Sequence, residues 1–185
     1  MWNSVHYGSK TRFNKAIEQK EKSIEWQKCH VGYTIGDMVV ELVLNNKELG
    51  IEKCIRWEYK NDGEIDYNKI KMENGLADKR DIVWMKFTTD GFLGVVADSN
   101  DINYDIPSCS EEYDNKTERG EWKYTSSGIL IHYLGLQWDE SFVLIFPLIK
   151  ISAGKTRHYI EKQIGNYLID QGIPILDYYS HKIGR

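Results

Sequence analysis

The stretch Ile82-Val83-Trp84-Met85-Lys86-Phe87-Thr88-Thr89-Asp90-Gly91-Phe92-Leu93-Gly94-Val95-Val96-Ala97-Asp98 decides the fold class. Asp90-Gly91 separates two runs of strand formers, and Asp-Gly favours the tight type I′ hairpin turn. With a two-residue loop, Thr89 pairs with Phe92, Phe87 with Gly94, and Met85 faces Val96. Trp84, Ala97, Val95 and Leu93 fall on the opposite face. Apolar groups on both faces place this hairpin inside a sheet rather than at its edge.

Further along the chain, a second strand pair is expected from Gly128–Gly135 and Ser141–Ile151, joined through Gln137–Glu140. Phe142–Phe146 is apolar on both faces and reads as a central strand. Pro147 lacks an N–H, so it should end the pairing or mark a bulge. Thr156–Gln171 reads as a helix, with Ile160, Ile164, Tyr167 and Leu168 on one stripe. Gly172 fits the left-handed position after its last turn, and Pro174 follows. Arg157 and Glu161 lie one turn apart and are expected to pair on its surface. Ile173–Tyr178 then reads as a last strand.

Before the hairpin, Thr11–Lys28 reads as a helix with Phe13, Ala16, Ile17 and Ile24 on one face. Met38–Leu44 is β-branched enough for a strand, with a short helix as the alternative. Asn45–Gly50 is a turn, Ile51–Lys60 a strand, and Asn61–Gly63 another turn. No repeat occurs, and no Pro/Gly/Ser linker. The reading is α+β in one domain, residues 1–185: a mainly antiparallel twisted sheet with an N-terminal and a C-terminal helix packed against it.

Composition agrees with a globular chain. Of 185 residues, 28% are charged and 41% hydrophobic, neither a disordered nor a fibrous mix. The three cysteines, Cys29, Cys54 and Cys109, are odd in number and show no CxxC spacing. That argues against a disulfide framework and against a thiolate zinc site. Met1–Lys10 has no apolar leader core. The longest apolar run, Phe142–Ile149, is far short of the roughly 20 residues of a membrane helix. The expectation is a cytoplasmic protein with no membrane role, no cofactor and no metal. Richness in Ile, Lys, Asn and Tyr fits AT-rich coding, as in a low-GC bacterium or its phage.

The net charge of −4 is unevenly distributed. Residues 98–121 carry eight acids, Asp98, Asp101, Asp105, Glu111, Glu112, Asp114, Glu118 and Glu121, against Lys116 and Arg119. This segment is −6, and the remainder is +2. It reads as a long acidic loop, a length that usually signals function or disorder.

Five patterns carry candidate chemistry. Asp37 at the start of one expected strand and Glu58-Tyr59-Lys60 at the end of the next would be cross-strand neighbours. Two carboxylates and a lysine so placed can hold a divalent cation and orient water. Over some 25 residues this resembles the PD-(D/E)XK nuclease pattern. Two further Glu-x-Lys triplets, Glu18-Gln19-Lys20 and Glu121-Trp122-Lys123, show how readily composition produces the motif. Asp101, Asn103, Asp105 and Glu112 match EF-hand ligand spacing, but Ile106 at the glycine position and the lack of flanking helices argue against that motif and leave a looser divalent-ion site as the alternative. His132, His158 and His181, with Asp177 and Tyr179, lack HxxxH or HExxH spacing. His132 reads as a core histidine, and His158 and His181 as solvated ones. Gly154-Lys155-Thr156 imitates the end of a phosphate loop, but Ile149 stands where its first glycine should be. Finally, 12% of residues are aromatic, and Trp138, Tyr178 and Tyr179 are expected to be exposed contact points.

The leading expectation is a non-enzymatic binding protein. It would engage a basic protein partner through Glu111, Glu112, Asp114 and Glu118, with Trp138, Tyr178 and Tyr179. Small acidic proteins that neutralise a basic enzyme, such as toxin-immunity and phage anti-defence proteins, have this composition. The alternative is a metal-dependent nuclease using Asp37, Glu58 and Lys60. A nucleic-acid partner is the less favoured one, since no basic run interleaves with the aromatics.

Overall fold

Order along the sheet is β1-β4-β2-β3, with every neighbouring pair antiparallel. A computed structural model describes residues 10–58, 65–99, 126–151 and 154–178. Its elements run α1 (Lys10–Cys29), α2 (Ile35–Asn45), β1 (Ile55–Glu58), α3 (Tyr67–Asn74), β2 (Ile82–Phe87), β3 (Leu93–Asp98), α4 (Ser126–Tyr133), β4 (Phe142–Pro147) and α5 (Arg157–Asp170). The architecture is α+β, with helices at both ends of the described chain. No described helix is long and apolar enough to cross a membrane.

The sheet is built on the two most apolar segments. All six residues of β2 and all six of β4 are buried. Side chains alternate between faces along a strand, so complete burial means that both faces of these strands are covered. Phe142–Phe146 is thus the central strand that its composition implies, and Pro147 pairs with Ile82 at its very end. β2 and β3 form the expected hairpin, with Met85 opposite Val96 and Trp84 opposite Ala97, but only β2 is interior: β3 is the edge strand of the sheet, not an inner one as its two apolar faces suggest.

The hairpin turn differs from the two-residue form. Thr88 N–H donates to Phe92 O at 2.9 Å, and Gly91 N–H donates to Thr88 O at 2.8 Å. Thr89, Asp90 and Gly91 therefore make a three-residue loop, with Gly91 in the left-handed region at φ 78°. The extra residue shifts the register between Lys86 and Phe87, so Phe87 faces Leu93 rather than Gly94.

Two expected strands are helices. Met38–Leu44 lies within α2. Thr34 caps this helix by accepting from Asp37 N–H at 3.0 Å, and the Asp37 carboxylate reaches back to the Thr34 backbone N–H. Ile35, Val39 and Val43, spaced by four, are its buried face. Gly128–Gly135 lies mostly within α4. Gly135, at φ 65°, ends it: Leu136 N–H donates to Ile131 O, and Gly135 N–H to His132 O. These two bonds satisfy the last carbonyls of a helix, which only a left-handed residue allows here. His132 is exposed on α4 and is not a core residue.

The helices are arranged against this sheet in register with their buried stripes. α5 packs on β3 and β2, and α4 contacts β3 and α1. Thr156 caps α5, Ile160, Ile164 and Leu168 are buried on it, and Gly172 takes the expected left-handed position at φ 82°. α1 buries Ala16, Gln19, Ser23 and Trp26, while Ile17 and Ile24 are exposed. Its core face is thus rotated from the expected one. Lys20 Nζ of α1 donates to Leu134 O just past α4, at 2.9 Å.

The expected last strand reduces to a single parallel bridge, Leu93 with Ile175. Leu176 and Asp177 N–H groups donate to Leu93 O and Gly94 O at 2.9 and 3.0 Å. This short run occupies bonding positions along the outer edge of β3, which would otherwise be open to another chain.

Candidate functional site

The end of β3, the first turn of α5, the start of α1 and the residues following α5 converge on one charged cluster. β3 delivers Asp98. Thr156 fixes the start of α5 by accepting from Tyr159 N–H at 3.2 Å, which sets Arg157, His158 and Glu161 in its first turns. The run along β3 delivers Asp177. Arg12, near the start of α1, completes the set.

The pairings are specific. Arg157 Nε donates to Asp98 Oδ2 at 3.2 Å. His158 Nδ1 lies 3.4 Å from Asp98 Oδ1 and 3.4 Å from Glu161 Oε2. Arg12 Nη2 donates to Asp177 Oδ1 at 2.7 Å, and Asp177 is buried. Glu161 is only 4% exposed, an unusual position for a carboxylate. Burial pushes its pKa up to about 8, with the nearby Asp98 and Asp177 adding to the rise against Lys162. The expected surface pair of Arg157 and Glu161 is therefore replaced. Arg157 turns to Asp98, and Glu161 faces inward.

Only part of this cluster is marked in the sequence. His158 and Asp177 stand out by residue type, but no His-His spacing joins them. The telling pattern is His158-Tyr159-Ile160-Glu161, in which positions i and i+3 share a helix face. Asp98 carried no local signal, because its partners are 59 to 63 residues away.

The nuclease pattern does not assemble as the sequence suggested. Asp37 sits in α2 and serves its cap, with its carboxylate also 2.6 Å from the Thr34 hydroxyl. Glu58 ends β1, opposite Phe142 of β4. The Asp37–Glu58 hairpin is absent because residues 35–45 are helical. Lys60 lies outside the described residues.

The expected partner-binding residues divide. Trp138 is buried, not exposed: it stacks over Gly94 of β3, where a Cβ would run into its ring. Its indole also lies 5.4 Å from Nζ of Lys86, a fully buried lysine paired with Glu140 at 2.9 Å. Tyr178 is partly buried under Lys15, whose Nζ stands 4.7 Å from the ring centre. Glu111, Glu112, Asp114, Glu118 and Tyr179 lie outside the described residues, as do the 101–112 calcium-like spacing and His181. Of the described cysteines, Cys29 is exposed, and Cys54 has its thiol pushed up to about 12 by burial.

Comparison with known proteins gave no match: none to a family model, to a curated protein or to a solved structure.

Proposed function

We propose that the chain is a non-catalytic binding protein that docks onto a basic protein partner through the acidic stretch between β3 and α4. The carrying observation is the charge distribution. Residues 98–121 hold −6 of a chain whose net charge is −4. Opposite charge of this density raises encounter rates and fixes orientation more than it adds contact energy.

The scaffold supports this reading. The stretch leaves the sheet at Asp98, which Arg157 holds, and rejoins the core at α4, where Ile129, Leu130 and Ile131 are buried. Variable binding segments are commonly carried on rigid elements in this way. The partner class is a basic enzyme or toxin-like protein.

The test is capture from a cleared lysate of the cells that encode the chain, using the full-length protein and a variant lacking residues 105–118. The intact chain should retain a basic protein that is released by about 0.5 M salt, as expected for screened contacts. The deletion variant should retain none. Equal retention by both proteins would remove the acidic stretch from binding.

A further inference from the structure

His158 stands between two carboxyl groups at equal distance. Its Nδ1 stands 3.4 Å from Asp98 Oδ1 and the same 3.4 Å from Glu161 Oε2. A ring nitrogen carries at most one proton, so a hydrogen bond to both carboxyl groups would have to be shared, and at these distances weak. Both separations also exceed the roughly 2.7–2.9 Å of a charge-assisted bond. They do match another arrangement. Donor atoms bound at about 2.1 Å around a tetrahedral ion stand about 3.4 Å from one another. All three donor atoms, one from each residue, lie within 4.8 Å of one another, so small rotamer adjustments close the set.

We propose that Asp98, His158 and Glu161 bind a divalent transition-metal ion through one imidazole nitrogen and two carboxylate oxygens. The donor set selects the ion class. Imidazole suits Zn²⁺ and its neighbours, and carboxylate suits Mn²⁺ as well, whereas Mg²⁺ and Ca²⁺ take oxygen ligands. Arg157 supports the site from behind, because it engages Asp98 Oδ2 and leaves Oδ1 towards His158. Glu161 is itself only 4% exposed, so its carboxylate has little room to turn away. His158 is exposed, which gives an ion a route from solvent and leaves room for water as a further ligand. The three proposed ligands lie outside residues 105–118, although Asp98 also begins the acidic stretch.

The experiment is calorimetric titration of the chelator-treated full-length protein with Zn²⁺ and, separately, with Mn²⁺. Mg²⁺ serves as the control ion. One ion per chain is expected, with affinity at least tenfold lower in His158→Ala and in Glu161→Gln. His158 is a surface residue, so His158→Ala keeps the test valid if Glu161→Gln perturbs folding. Thermal melting should show the native protein stabilised by Zn²⁺ or Mn²⁺ and neither variant so stabilised. Absence of saturable binding up to about 1 mM of either ion would overturn the proposal. Binding of equal strength in the native protein and both variants would do so as well.

Discussion

Glu161 shows at the scale of one residue how tertiary placement overrides local pattern. Its spacing from Arg157 is that of a surface ion pair, but the helix turns it inward beside Asp98 and Asp177. The consequence is a pH dependence with a definite sign. The folded chain keeps the Glu161 proton up to about pH 8, whereas an ordinary glutamate releases it near 4.5. Between those values the folded state binds more protons than the unfolded one, so stability falls as pH rises. The slope reaches about 1.4 kcal/mol per pH unit. Without metal and with a chelator present, Glu161→Gln should gain stability over the native chain steadily from pH 5 to 8. Urea midpoints at each pH measure this, and parallel profiles for the two proteins would contradict it. Gly94 makes a second residue-scale point. Nothing in the sequence shows that a glycine in β3 makes room for the ring of Trp138. Gly94→Ala should destabilise the fold by about 3 kcal/mol or more, by overpacking a rigid strand against a buried ring. An unchanged denaturation midpoint would show that Trp138 moves aside freely.

Element by element, the sequence was most legible where one signal acted alone. Phe142–Pro147, with no competing helical period, is a central strand, and α5 has its span and its terminal glycine where the pattern places them. Legibility failed where β-branched content competed with spacing. Met38–Leu44 is rich in valine and leucine, yet Ile35, Val39 and Val43 recur every four residues behind a Thr34–Asp37 capping box. Residues 128–135 failed for the same reason: Gly135 is a helix terminator there, not a hairpin glycine. The candidate metal centre was half legible, since His158 and Glu161 share a helix face but Asp98 arrives from a distant strand. The cap offers a check on this account of α2. Thr34→Ala removes the side-chain acceptor of Asp37 N–H and should cost about 1 kcal/mol in chemical denaturation. A loss under about 0.3 kcal/mol would mean that burial of Ile35, Val39 and Val43 alone secures the helix.

At the scale of the whole molecule, the described residues join a fully buried pair of central strands to a polar periphery. The acidic stretch and the Asp98–His158–Glu161 cluster adjoin, because Asp98 both ends β3 and begins that stretch. The chain-wide charge of −4 therefore conceals two zones, one strongly acidic and one slightly basic. Docking onto a basic partner is the central claim, and its electrostatic content can be measured directly. The measurement is the dissociation constant of the captured partner against the native chain and against a variant with Glu111→Gln, Glu112→Gln, Asp114→Asn and Glu118→Gln. It is taken at about 0.05 and 0.5 M salt. The account predicts binding at least tenfold weaker in the variant at low salt, with the difference shrinking at high salt. Equal affinities at low salt, or a difference indifferent to salt, would contradict it.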